Sequence, residues 1–151
     1  MNSPLGQDLA LLLKQEGAPM ASVDVSTRDC DGHAVVMLRG ELDVADAAGV
    51  AAALAVVAAR EPEIIVDLAG LEFIDSSGVA ALARGRKLAR HAGGDLLLAA
   101  PQHQVLRVLA LTRLIDVFAV HVSVDEAAAS AGRSQRAAVP VAGRSSRVAG
   151  T

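Results

Sequence analysis

Two adjacent serines, Ser76 and Ser77, are the side chains of this sequence best placed to do chemistry. Asp75 precedes them and Gly78 follows them, between an apolar segment and a periodic run over residues 79–91 that predicts a helix. One serine at a helix start commonly serves only as a cap, but two serines are more than one cap requires. A phosphate there would meet free amides and the positive end of the helix dipole. The pattern favours Ser76 as a regulatory phosphoacceptor, with helix capping as the alternative.

A phosphate at this position is expected to change binding rather than folding. Phosphorylation adds roughly −1.5 to −2 charges, and Asp75 already places a carboxylate beside the hydroxyl. Like charges brought together at an interface cost several kcal/mol. Gly78, which has no side chain, is expected to let the backbone of a partner approach. The predicted consequence is loss of a partner and retention of the fold.

A nucleophilic serine enzyme is the competing interpretation of the same serines. Such an enzyme needs a base that is oriented by a third group, and the segment Asp-Ser-Ser-Gly differs from the G-x-S-x-G elbow of hydrolases. Neither a triad context nor a metal-ligand spacing surrounds the four histidines, His33, His91, His103 and His121. The sequence also lacks a glycine-rich phosphate loop. It therefore predicts a protein that is not an enzyme and that holds no cofactor or metal.

The composition is that of a single packed domain. The 151 residues are 52% hydrophobic, and the apolar residues, mostly Ala, Val and Leu, recur with the periods of helices and strands. No apolar run approaches the roughly 20 residues of a membrane helix. Cys30 is the only cysteine, which excludes an internal disulfide, and the amino-terminal segment lacks the features of a secretion signal. These features predict a cytoplasmic protein with no membrane contact.

Charge is distributed unevenly along the chain. The net charge is −3, yet residues 132–151 contain four arginines and no acid, so the rest of the chain is more acidic than the total. An acidic body with 1% aromatic residues disfavours direct nucleic-acid binding. A basic stripe on the second predicted helix is interpreted either as a solvated face or as a contact surface for an acidic partner; its residues are Arg84, Arg86, Lys87 and Arg90.

The order of predicted elements is β-β-α-β-α-β-α-β-α. Strands are expected over 23–28, 33–39, 64–68, 95–100 and 116–120. Helices are expected from Asp43 or Asp46 to 59, over 79–91, from Pro101 with Val105, Leu106, Leu109 and Ala110 inward, and over 124–131 after a Ser123 cap. This order predicts an α/β fold, with a mixed, mostly parallel sheet that opens with a hairpin and carries about four helices.

Three parts of the chain are distinguished by this pattern. Residues 20–131 are predicted to form the domain, and residues 132–151 a disordered basic tail. Residues 1–19 are an amino-terminal extension, interpreted either as a short helix or as a segment with no role in the fold. Within the domain, Asp43 and the Asp75–Ser76 loop each follow a strand and precede a helix, so both are expected at the carboxyl end of the sheet, where such sheets bind ligands.

Two segments resemble the motifs of one family. Leu38–Arg39–Gly40–Glu41–Leu42–Asp43 resembles the L-x-G-E-L-D segment of anti-sigma factor antagonists, and Phe73–Ile74–Asp75–Ser76–Ser77–Gly78–Val79 resembles their F-M-D-S-S-G-L loop. The Gly93–Gly94 turn and the segment Leu111–Thr112–Arg113–Leu114 fit as well. The resemblance covers about residues 20–131 and identifies a STAS domain, most similar to the antagonists of spore formation and the general stress response.

The resemblance implies a partner switch. In that family the unphosphorylated protein binds an anti-sigma factor, a serine kinase whose ATPase fold is related to histidine kinases, and binding frees a sigma factor for transcription. Phosphorylation dissolves the complex, and a serine phosphatase resets it. Carried onto this sequence, the resemblance makes Ser76 the acceptor, gives Asp75, Ser77 and Gly78 the shaping of the loop, and places Asp43 on the kinase-docking surface.

The alternative is a STAS interaction module in a different assembly. Such modules also occur in stress-sensing assemblies, in lipid-transport complexes and in anion transporters. The intact phosphoacceptor loop favours the partner switch, and the absence of a membrane-spanning run disfavours a transporter. A nucleotide-binding module is a third and weaker reading. Val79 stands where many relatives have leucine, and residues 1–19 and 132–151 have no counterpart in the family pattern.

Overall fold

The fold is a five-stranded sheet with helices on both faces. The computed structural model describes residues 23–130, so the predictions for residues 1–19 and 132–151 lie outside the described chain. The strands are β1 (Val23–Cys30), β2 (His33–Leu42), β3 (Glu63–Ile74), β4 (Asp95–Ala99) and β5 (Val120–His121). The helices are α1 (Val44–Arg60), α2 (Ser76–His91), α3 (His103–Leu111) and α4 (residues 124–130).

Strand order follows chain order, β1-β2-β3-β4-β5. The β1–β2 pair is antiparallel, and the other neighbouring pairs are parallel. Asp31 and Gly32 join β1 to β2 with φ angles of 52° and 81°, the two left-handed residues that a tight hairpin turn requires. The predicted mixed sheet and opening hairpin are confirmed.

Both faces of the central strands are buried. On one face, Leu38, Val66 and Leu98 join the core formed with α1, α2 and α3. On the other face, a smaller cluster includes Ile65 and contains Ala127 of α4. Burial on both sides explains why β3 and β4 read as continuous apolar runs instead of alternating patterns. No helix within residues 23–130 is both long enough and apolar enough to cross a bilayer.

Strands β2 and β3 extend further than the sequence predicted. The predicted ends of these strands, at residues 39 and 68, are wrong, because the two strands stay paired until Leu42 lies beside Ile74. Two register shifts interrupt this pairing, so the alternation that marks a strand is broken in the sequence. The extension is anchored by Leu71 and Ile74, both fully buried.

The carboxyl-terminal elements differ from the predicted ones in smaller respects. Helix α3 begins at His103 rather than at Pro101, and Ala110, predicted to face inward, is exposed. The last strand is confined to Val120–His121, because turns occupy most of the segment that was predicted to form it. The predicted cap of α4 is confirmed, since the Glu126 amide donates to Ser123 Oγ at 3.1 Å.

Candidate functional site

The two sequence motifs meet at the carboxyl end of the sheet. Leu42 and Ile74 are paired residues at the ends of β2 and β3, so Asp43 and Asp75 follow from neighbouring strands. The Asp75 amide donates to the Leu42 carbonyl at 3.3 Å. The expectation that these two carboxylates share one end of the sheet is therefore confirmed, and α1 and α2 begin side by side there.

Each of the two aspartates caps the helix that follows it. Asp43 Oδ1 accepts the Ala45 amide at 3.0 Å, and Asp75 Oδ1 accepts the Gly78 amide at 3.0 Å. Aspartate is a favoured residue at this position because its oxygen satisfies an amide that has no partner within the helix. Helix α2 consequently begins at Ser76, three residues earlier than predicted, and the capping role considered for the serines belongs to Asp75.

Ser76 and Ser77 occupy the first two positions of α2. Ser76 is exposed and Ser77 is half-buried. The two residues after the serines donate their amides to Asp75. The Gly78 amide donates to the Asp75 side chain, and the Val79 amide donates to the Asp75 carbonyl at 3.0 Å. Across residues 23–130, no acceptor is recorded for the Ser76 and Ser77 amides. The hydroxyl of Ser76 is thus presented to solvent next to two N–H groups at a positive helix end.

Gly78 faces the interior. A Cβ atom at this position would lie 2.7 Å from Ile74 Cγ1, 2.8 Å from Leu42 Cγ and 3.0 Å from the Leu42 carbonyl oxygen. The sequence-based reason for this glycine, the approach of a partner backbone, does not match its buried position. Gly78 instead allows the first turn of α2 to pack directly against the ends of β2 and β3. This packing fixes the distance between Ser76 and the end of the sheet.

The polar contacts of His33 and His121 are with residues other than the two serines. His33 is buried at the start of β2, with Nδ1 3.2 Å from the Cys30 carbonyl oxygen. His121 Nδ1 is 3.9 Å from a Glu126 carboxylate oxygen. In the described part of the chain, no histidine is hydrogen-bonded to Ser76 or Ser77.

The site is acidic and the far end of α2 is basic. Glu41 and Glu72 are exposed near the two caps, and both caps are themselves carboxylates. At the other end of α2, Asp95 lies 3.2 Å from Arg86 Nε and 3.4 Å from Arg90 Nη1. Two members of the predicted basic stripe therefore have an internal partner, which favours its interpretation as a helix face.

Two exposed apolar side chains adjoin the caps and were not singled out by sequence reasoning. Val44, the residue after Asp43, is 72% exposed, and Phe73, two residues before Asp75, is 45% exposed. A signal for both was available, since each directly neighbours a motif residue. Apolar groups beside polar ones are typical of a protein contact surface.

Comparisons with known proteins identify the family and the fold. A family model described as "STAS domain" matches residues 24–127. The structure of an anti-sigma factor antagonist from Mycobacterium paratuberculosis is 26% identical with a TM-score of 0.66, covering 87% of this chain and 99% of that one. The Bacillus cell fate determinant SpoIIAA in its phosphorylated form is 25% identical with a TM-score of 0.54, covering 71% and 98%.

The same fold also occurs in a transport protein. A sulfate transporter family protein from Wolinella succinogenes is 20% identical with a TM-score of 0.60, covering 70% of this chain and 88% of that one. At this identity the likeness shows the fold alone. The residues at the carboxyl end of the sheet are what distinguish possible functions within this fold.

Proposed function

Because this chain belongs to the STAS domain family, we propose that it is an anti-sigma factor antagonist whose partner binding is switched by phosphorylation of Ser76. The unphosphorylated form binds an anti-sigma factor, an ATP-using serine kinase of the histidine-kinase-like fold, and so releases a sigma factor. The observation that carries the proposal is the exposure of Ser76 in the first turn of α2, beside two amides for which residues 23–130 supply no acceptor. In this role the protein is a substrate and a binder rather than an enzyme, and it acts in the cytoplasm.

The choice of Ser76 over Ser77 follows from exposure. A kinase must bring the acceptor oxygen close to the γ-phosphate of ATP, and productive distances are about 3–3.5 Å. Ser76 is exposed, whereas Ser77 is half-buried in the same turn. Neither serine is needed as the cap, because Asp75 holds the Gly78 amide. Modification of Ser76 therefore leaves the capping interaction in place.

The proposed docking surface surrounds this hydroxyl. Asp43 and Asp75 supply charged groups, and Val44 and Phe73 supply exposed apolar area. Ser77 shapes the same turn, and Gly78 contributes from beneath by letting α2 start against the sheet. A partner seated here would contact the beginnings of both α1 and α2, so any charge added at Ser76 would lie within the contact.

Phosphate is proposed to end binding through charge. The group would be added next to Asp75, where the paired ends of β2 and β3 also carry Glu41, Asp43 and Glu72. Within the molecule, the amides of Ser76 and Ser77 and the helix dipole offset part of this repulsion. A partner docked on this surface would face the concentrated negative charge. Like charges brought together at an interface cost several kcal/mol. A phosphatase that removes the group restores binding.

Substitution of Ser76 tests the proposal. Ser76→Ala is expected to remain folded, to bind its kinase constitutively and to take no phosphate. Ser76→Asp is expected to bind the kinase at least about tenfold more weakly, which corresponds to about 1.4 kcal/mol, with a melting temperature near that of the unsubstituted protein. Ser77→Ala is the matched control and should be phosphorylated normally. If the Ser77→Ala variant alone took no phosphate, Ser77 rather than Ser76 would be the acceptor.

A STAS interaction module in a stress-sensing assembly or lipid-transport complex is the second candidate. The fold occurs both in an anti-sigma factor antagonist and in a sulfate transporter family protein, so the fold by itself does not distinguish the two candidates. Such a module would use the same end of the sheet as a constant docking surface. Binding to its partner would then be equal for the Ser76→Ala and Ser76→Asp variants, an outcome opposite to that of the switch.

A further inference from the structure

Strand β3 extends well beyond its neighbour β4. Pairing between them covers Glu63 to Asp67 of β3, whereas β3 continues along β2 to Ile74. We call residues 68–74 the β3 overhang. Across residues 23–130, no strand pairs with the edge of the overhang that faces away from β2, and its pairing with β2 is interrupted by register shifts. The overhang leads directly into Asp75 and Ser76.

Two glutamines at the start of α3, Gln102 at its N-cap and Gln104 in its first turn, lie along the edge of the overhang that no strand covers within residues 23–130. Gln102 Nε2 donates to the Ala69 carbonyl at 2.8 Å, and Gln104 Nε2 donates to the Glu72 carbonyl at 2.8 Å. Gln104 Nε2 also donates to Gln102 Oε1 at 3.0 Å. A side-chain amide carries two N–H donors, and Gln104 uses both. This glutamine pair (Gln102 and Gln104) therefore supplies donors to backbone carbonyls that a sheet neighbour would otherwise satisfy.

The stability of helix α3 does not depend on the side chains of these two glutamines. Gln102 stands at the N-cap, yet its side chain makes no capping hydrogen bond, and glutamine is not among the residues favoured there. Gln104 is exposed. The helix is held instead by Val105 and Leu109, both fully buried. A firmly anchored helix thus presents two side chains whose recorded contacts are with the overhang and with each other.

We propose that the glutamine pair positions the phosphoacceptor. By fixing the β3 overhang, it keeps the position of Ser76 constant relative to the surface on which the kinase docks. This proposal rests on the proposed function of Ser76. During transfer, the Ser76 oxygen forms a bond to the γ-phosphorus of ATP as the bond to ADP breaks, and the hydroxyl proton passes to a base of the kinase. Because the reaction depends on placement of the acceptor oxygen, a less constrained overhang lowers the fraction of complexes that can react. Gln102 and Gln104 are positioning residues and do not touch the reacting atoms.

Hydrogen exchange on the isolated protein is the first arm of the test. In the double variant Gln102→Ala/Gln104→Ala, amides of residues 68–75 should exchange at least about threefold faster, since each lost hydrogen bond removes a modest stabilisation. Exchange in β4 and α1 should stay unchanged. Arg107→Ala, an exposed change on the same helix, is the control. Unchanged exchange in residues 68–75 would overturn the proposal, and uniformly faster exchange would assign the glutamines a merely structural role.

Phosphotransfer by the purified anti-sigma serine kinase is the second arm. The double variant should show a several-fold lower kcat and a smaller rise in KM, because Asp43 and Val44 of the docking surface lie outside the overhang and only Phe73 lies within it. Gln104→Glu, which keeps the size but loses the donor, should reproduce part of the effect, and Arg107→Ala should have none. Equal kcat values for variant and wild type would overturn the positioning role. A wild-type protein that takes no phosphate would overturn the proposed function and with it the role in phosphotransfer, while the exchange arm still decides whether the glutamine pair holds the overhang.

Discussion

Helix capping and presentation of a hydroxyl belong to two different residues, Asp75 and Ser76. From the sequence, a single serine could have done both. Asp75 satisfies the Gly78 amide through its side chain and the Val79 amide through its carbonyl. The side chain of Ser76 has no hydrogen-bond partner among residues 23–130, and the residue is exposed. The proposed phosphorylation of the Ser76 hydroxyl would therefore leave the cap of the helix intact.

The separation predicts unequal effects of two neighbouring substitutions. Asp75→Ala should lower the free energy of unfolding by about 1 kcal/mol, the usual cost of losing an N-cap. Ser76→Ala should change it by less than about 0.5 kcal/mol, as is typical of surface substitutions. Urea unfolding followed by circular dichroism measures both. A larger loss for Ser76→Ala than for Asp75→Ala would return the capping role to the serine.

Gly78 provides a second prediction at this scale. Gly78→Ala would place a methyl group against Leu42 and Ile74 at 2.7–2.8 Å, so it should destabilise the protein by about 1–3 kcal/mol, the usual cost of overpacking. Alanine is otherwise the better helix former, which makes the sign of the change informative. Ser77→Ala, one residue earlier and half-buried, is the control. A stabilised Gly78→Ala variant would show that the turn has room for a side chain.

At the scale of elements, sequence reasoning located the helices and strands better than it located their ends. The hairpin was readable because its turn residues are local, and the cap of α4 because Ser123 and Glu126 lie three apart. The ends of β2 and β3 were missed because they are set by pairing between Leu42 and Ile74, which are far apart in the chain. The start of α2 was misplaced for the same reason, since it follows where β3 ends.

The turn between α2 and β4 offers a test of how tightly these elements are joined. A Cβ atom on Gly94 would overlap the carbonyl group of Pro62, so Gly94→Ala should cost about 3 kcal/mol or more. Gly93 has a φ of 97° and open space around it. Gly93→Asn should therefore cost only about 1 kcal/mol, from backbone strain alone. Thermal unfolding of the two variants compares them directly, and equal losses would contradict the packing described for Gly94.

At the scale of the whole molecule, the class of fold and the meeting of the two motifs were predictable, and the glutamine pair was not. Alternation of strands and helices implies a mostly parallel sheet, and parallel sheets bring their carboxyl ends together. Gln102 and Gln104, in contrast, contact residues 33 and 32 positions away. Their sequence carries no local pattern that would reveal such contacts, because isolated glutamines near a helix start look like ordinary surface residues.

The predicted domain boundaries give a prediction for the whole chain. A fragment of residues 20–131 is expected to fold alone, with a melting temperature within about 4 °C of the full chain, because a stability loss below about 1 kcal/mol produces only a shift of this size. The family match over residues 24–127 lies inside this fragment. Circular dichroism of the two proteins compares them. A fragment that fails to fold would show that residues 1–19 or 132–151 belong to the folded unit.

The central claim is that Ser76 gains a phosphate and that this phosphate ends a contact. The most direct measurement is mass spectrometry of the protein after incubation with the anti-sigma serine kinase and ATP, combined with binding to the same kinase before and after. We predict a single phosphate on Ser76 and loss of the complex once it is attached. A phosphate on Ser77, no phosphate at all, or a complex that survives phosphorylation of Ser76 would contradict the account.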